Sequence, residues 1–259
     1  MEKEILKRSF EKMGAGVNFG EPQRGEFNLD VVNRKFVVET ASDDILSQLS
    51  VLSVDVKDRH LLLLRKKPIK NRIGKTIDFD LDRYLVGHDE RDWFVAGVPD
   101  GARVSTVQQA KDALRPDMAT DSIKSKGKMK NRNKRKNKGF LRQGEWFFIP
   151  IGNEIDDSDI IHKDEPITRG RSKPHVVSEI VRKGGRTVYA NSSGEISVKD
   201  YQNLPNHLQY SYRQMVADAN VYGRGTVRHP DHKTIQLPGW HRILSNTENE
   251  ASHMGTLTF

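Results

Sequence analysis

Residues 122–139 read SIKSKGKMKNRNKRKNKG, from Ser122 to Gly139. This stretch decides how the rest of the chain is divided. Extended to Arg142, it carries Lys124, Lys126, Lys128, Lys130, Arg132, Lys134, Arg135, Lys136, Lys138 and Arg142, ten cations with no acid among them. Within 122–139 only Ile123 and Met129 are apolar, too little surface to offset the entropy of ordering the segment. The composition therefore predicts a flexible basic arm at 120–143 joining two folded units. These are an α+β unit at 1–119 and a β-rich, barrel- or sandwich-like unit at 144–245, with a polar tail at 246–259.

The 259 residues carry a net charge of +8, and without those ten cations the balance falls to −2. The basic character thus belongs to one segment rather than to a whole face. Cysteine is absent, which excludes a disulfide framework, a thiolate nucleophile and thiolate-held zinc or iron–sulfur centres. Apolar runs such as Leu61–Leu64 are short, far below the ~18 residues that cross a bilayer. The first eight residues mix Glu2 and Glu4 with Lys3, Lys7 and Arg8 and lead into no apolar core, unlike a signal peptide. A cytoplasmic protein without a membrane partner is expected.

Working outward from the arm, the N-terminal side predicts a short helix at 2–13, stopped by Gly14 and Gly16. Val- and Phe-rich strand sequence follows at 27–40, and two strands within 51–66 turn at Lys57-Asp58. Further strands are expected at 76–86 and 93–98, the latter closed by Pro99-Asp100-Gly101. Ser105 reads as the N-cap of a helix that ends at Arg115-Pro116. An antiparallel sheet with two or three helices results. Beyond the arm, strands are expected at 145–150, at 187–190 and 195–198 around a turn at Asn191–Gly194, and in a terminal meander at 221–228, 233–237 and 240–244. A helix is expected at 208–219.

Gly144, Pro150 and Gly152 stand at the spacing of the second cupin motif, and this short stretch resembles that motif's strand and turn. The resemblance implies a β-barrel or jelly-roll-like strand. Ile155 occupies the position of the cupin metal-binding histidine, and no His-x-His pair lies upstream, so the family's ligand set is not carried over.

Two features bear on function. The arm can neutralise several phosphates at once and release their counterions, giving salt-sensitive attraction to nucleic acid. It holds no aromatic ring between Ser122 and Gly139, so it supplies affinity rather than base readout. Arg224 and Arg228, interleaved with Tyr222 and Trp240, extend this basic, aromatic character into the C-terminal unit. The second feature is His229-Pro230-Asp231-His232 with His241. Here two histidines flank a turn between strands, and a third lies on the next strand. His229, His232 and His241 are candidate ligands of a divalent metal, with His175 as a further candidate, and His229, Asp231, His232 and His241 are candidate catalytic groups.

The sequence therefore points first to a nucleic-acid-binding accessory protein, RNA ahead of DNA. The alternatives are a phosphodiester hydrolase centred on the histidines, metal-dependent or imidazole-based, and a subunit of a larger ribonucleoprotein or protein complex.

Overall fold

The computed structural model describes residues 2–152, 154–156, 158–169 and 173–251. The chain forms mixed α+β structure with mostly antiparallel sheets, in two units. Of the described residues, the first comprises 2–120, 129–134 and 246–251, and the second comprises 121–128 and 135–245.

In the first unit, α1 (Glu2–Lys12) precedes β1 (Val17–Gly20), β2 (Phe27–Val32) and β3 (Lys35–Thr40), which form a sheet in the order β1-β3-β2. After α2 (Asp43–Ser47) comes an antiparallel meander of β4 (Leu49–Asp55), β5 (His60–Lys70), β6 (Thr76–Asp89) and β7 (Asp92–Gly97). The Leu61–Leu64 run sits at its centre because both faces of β5 are covered. Leu61 and Leu63 join Leu6, Phe10, Phe36 and Val86 in one cluster, whereas Leu62 packs with Val107, Ala110 and Leu114 in another. A strand buried on both sides needs apolar residues at every position rather than at alternate ones.

The second cluster is closed by α3 (Val107–Ala113). Its N-cap is Thr106, one residue beyond the expected Ser105, in a reciprocal capping box with Gln109. Residues 246–251 are not frayed in this unit: Thr247 donates from N to Leu114 O at 3.3 Å and from Oγ1 to Ala113 O at 2.8 Å.

The basic segment is structured, contrary to the flexible arm expected from its composition. Residues Asp117–Lys126 form α4, Met129–Asn131 a 3-10 turn, and Lys136 bridges Leu141. Ile123 is 0% exposed. Gly139 lies so close that an added Cβ would come within 2.7 Å of Ile123 N, and Ser122 Oγ donates to Gly139 O at 2.8 Å. In the first unit Arg132 binds Asp112 at 2.9 Å, and Arg115 pairs with Asp112 and Asn133. Composition misleads here because one fully buried isoleucine against a glycine, with Arg132 paired to Asp112, orders a segment whose lysines remain exposed.

The second unit is built on β8 (Leu141–Gln143), β9 (Trp146–Pro150), β10 (His162–Ile167) and β11 (His175–Lys183). An excursion follows through β12 (Arg186–Asn191), β13 (Gly194–Ser197), α5 (Val198–Asn203), α6 (Asn206–Gln209) and β14 (Arg213–Ala217), before the long hairpin of β15 (Asn220–His229) and β16 (His232–Ser245). The main sheet has the order β10-β11-β15-β16-β9-β8, and β13-β12-β14 form a separate sheet. The helix expected at 208–219 is not formed. Residues 213–217 instead pair with β12, from Arg186↔Ala217 to Ala190↔Arg213.

The main sheet curls strongly. Trp146 pairs with Ser245 at the far end of the 14-residue β16, which in an extended strand would lie about 43 Å from His232. Yet Gln143 Nε2 donates to Lys233 O at 2.7 Å, at the beginning of that strand. The expected barrel-like strand is compatible with this curvature, although no ladder joins β8 to β10 among the described residues.

Candidate metal centre

Three histidines meet at one end of adjacent strands. His175 opens β11, opposite Ile167 of β10, and its neighbour Val176 pairs with Arg228 of β15. His229 closes β15 and pairs with His232, which opens β16. Pro230-Asp231 makes the turn between them, with Pro restricting φ at its first position. One ligand nitrogen from each of His175, His229 and His232 lies within 4.8 Å of the others. A tetrahedral zinc site brings imidazole nitrogens to about 3.3 Å of one another, from Zn–N bonds of 2.0–2.1 Å, so an ion would draw the rings inward. The rings are roughly parallel, with centroids 4.1 Å apart for His175–His229 and 5.5 Å for His175–His232.

The fourth side of the cluster is backbone. Gly144, at φ +57° in the β8–β9 turn, is placed so that a Cβ would lie 2.9 Å from His232 Nε2 and 3.4 Å from His175 Nε2. Both nitrogens therefore face a cradle that is open only because residue 144 has no side chain.

His175 is 1% exposed, and neither ring nitrogen has a hydrogen-bond partner among the described residues. Burial, reinforced by His229 and His232, pushes its pKa down to about 3, so at neutral pH the ring is uncharged and keeps a lone pair for an ion. His229 is also shifted down, first by burial and then by His232. The carbonyl of Lys173 and the charges of Asp231 and Glu145 partly offset that shift. Its Nε2 lies 3.2 Å from Lys173 O, and its Nδ1 accepts from Asp231 N at 3.1 Å. The carbonyl contact fixes ring orientation in the way a metal ligand's outer nitrogen is held, and an ion at Nδ1 would take the place of the Asp231 N–H.

The remaining candidates do not join the three converging nitrogens. The Asp231 carboxylate is held by Lys173 Nζ at 2.7 and 3.0 Å, which keeps its pKa low. His241 stands apart from the three histidines: it is 4% exposed, with Nδ1 2.7 Å from Gly239 O and its pKa lowered by burial. His175, only an auxiliary candidate on sequence grounds, is the most buried member of the cluster. Gly144 stands out in the sequence for its cupin-like spacing, which gives no sign of its place beside the histidines.

The basic candidates divide similarly. Arg224 pairs with Glu179 and stacks 4.6 Å over Trp240, and Arg228 binds Asp164 at 2.6 Å. Lys124 reaches Asp121 at 3.3 Å and Lys126 donates to Pro150 O at 3.2 Å. Lys128, Lys130, Lys134, Lys136 and Lys138 are exposed, while Arg132, Arg135 and Arg142 are half-buried. No protein-family model, curated protein or solved structure matches the chain.

Proposed function

We propose that the second unit binds a divalent metal ion of the zinc class through His175, His229 and His232, and that the loaded centre hydrolyses phosphodiester bonds in nucleic acid. The observation that carries this reading is His175, a fully buried imidazole whose two nitrogens have no partner among the described residues, facing a glycine cradle beside two further histidines. Buried polar groups normally find partners, and one that does not needs an explanation such as a missing ion. Three imidazoles leave coordination positions open for water and for a substrate oxygen, the arrangement of catalytic rather than structural zinc. A metal in such a site lowers the pKa of its water toward ~7 and polarises a phosphoryl oxygen.

Nucleic acid is favoured as substrate by Lys124, Lys126, Lys128, Lys136 and Lys138, all exposed and all belonging to the same unit. The packing of Ile123 against Gly139 holds together the two stretches that carry them, so these lysines stand on ordered chain rather than on a tether. It supplies sequence-independent phosphate contact.

The test is turnover of fluorescently labelled single-stranded RNA and DNA by chain loaded with zinc or manganese. Cleavage that disappears with a chelator and in His175→Ala, while the oligonucleotide is still retained, supports the reading. Salt-sensitive binding without cleavage under any metal supports a second reading, an accessory nucleic-acid binder, which the same exposed lysines favour without requiring the histidines.

A further inference from the structure

The β8–β9 turn holds two more polar groups in want of partners. Gln143 is 0% exposed; its Nε2 donates to Lys233 O at 2.7 Å, which fixes the orientation of the amide, and its Oε1 is buried with no partner among the described residues. Trp146 Nε1 is likewise buried without an acceptor among them. Gln143 and Trp146 are register partners, so their side chains leave the same face of the hairpin, on either side of Gly144. The Trp146 ring lies 6.4 Å from that of His175, at 66°.

An unmade bond of this kind leaves the desolvation of the buried group uncompensated, and an apolar pair at these positions would avoid that. The two deficits are complementary, since Gln143 lacks a donor and Trp146 lacks an acceptor. A single water placed between them would answer both, donating to Gln143 Oε1 and accepting from Trp146 Nε1–H, with a lone pair left for an ion held by the histidines.

Resting on the metal-binding reading above, we propose that Gln143 and Trp146 are positioning residues that hold and orient a water molecule in the open coordination position of the His175–His229–His232 centre. The site then remains open to exchange instead of being closed by a fourth protein ligand. The glutamine oxygen accepts from one O–H of the water and the indole N–H donates to one lone pair, leaving the oxygen with a defined orientation before any substrate arrives.

The experiment uses the full chain in two loaded forms. In the zinc form, labelled with 15N-tryptophan, the chain's three tryptophans give three indole signals, and the one missing from Trp146→Phe is that of Trp146. The proposal expects this signal to shift downfield and exchange more slowly with solvent on zinc loading, while the other two stay in place. In the manganese form it expects enhanced water-proton relaxation, the mark of an exchangeable water on the ion. Metal that binds stoichiometrically yet leaves the Trp146 signal unmoved, or yields no relaxation enhancement, overturns the oriented water and spares the histidine centre. Failure of the wild-type chain to retain either metal defeats the histidine centre itself. The wild-type relaxation measurement decides even where Trp146→Phe does not fold.

Discussion

Replacing Gly144 by alanine perturbs the centre without touching a histidine, and the structure fixes what it should cost. Residue 144 sits at φ +57°, where an L side chain is strained by roughly 1–2 kcal/mol. The added methyl would also stand 2.9 Å from His232 Nε2 and 3.4 Å from His175 Nε2, in the space toward which both nitrogens point. Two losses are therefore expected. The metal-free chain should lose about 1–2 kcal/mol, which in a unit of this size lowers Tm by about 3–8 °C. Metal affinity should fall at least tenfold, because an ion can no longer approach both nitrogens unless the turn moves.

Gly184→Ala separates the two effects. Gly184 has φ +69° in the same unit but nothing within 4 Å of its hypothetical Cβ, so it should show comparable backbone strain and unchanged metal affinity. The assay is thermal unfolding in chelator and in excess zinc, together with competition against a colorimetric chelator. A metal that stabilises wild type and Gly184→Ala should raise the Tm of Gly144→Ala much less, since stabilisation by a ligand grows with its concentration relative to Kd. Equal affinity in wild type and Gly144→Ala would refute the cradle.

Three further outcomes are expected. Ile123→Ala should destabilise the second unit by about 2–4 kcal/mol, the usual cost of truncating a fully buried isoleucine, measured by urea unfolding; a change near zero would restore the flexible arm. Joint substitution of the exposed Lys128, Lys136 and Lys138 by alanine should weaken oligonucleotide binding and flatten its salt dependence by up to about 0.7 in log–log slope for each phosphate no longer neutralised, with Tm essentially unchanged. His241 is buried with its pKa lowered, so the unfolded chain takes up its proton first as pH falls. Its contribution to stability is complete above pH ~6.5 and is lost below it at up to about 1.4 kcal/mol per pH unit, and His241→Gln should make the acid limb of stability in chelator shallower.

What is legible in the sequence depends on how far apart the contributing residues lie. Local patterns translate directly: the Leu61–Leu64 run marks a strand, and the Asn191–Gly194 turn joins β12 to β13. His229 and His232 do face each other across a hairpin end. His175 and Gly144 reach the centre only through the β11–β15 pairing and the curl of the sheet, which no local spacing encodes. The basic segment reads as flexible from its composition because a count of apolar residues does not reveal that Ile123 is entirely enclosed. At 208–219 a helical reading yields to strand pairing, since Arg213–Ala217 finds its hydrogen-bond partners on β12, and tertiary pairing overrides weak local propensity.

The account rests on the histidine centre, and elemental analysis addresses it most directly. Chain exposed to zinc and then exhaustively dialysed should retain about one ion per molecule, and His175→Ala, folded by circular dichroism, should retain none. A wild-type chain that emerges metal-free, or a His175→Ala chain that holds zinc as firmly as wild type, would contradict it.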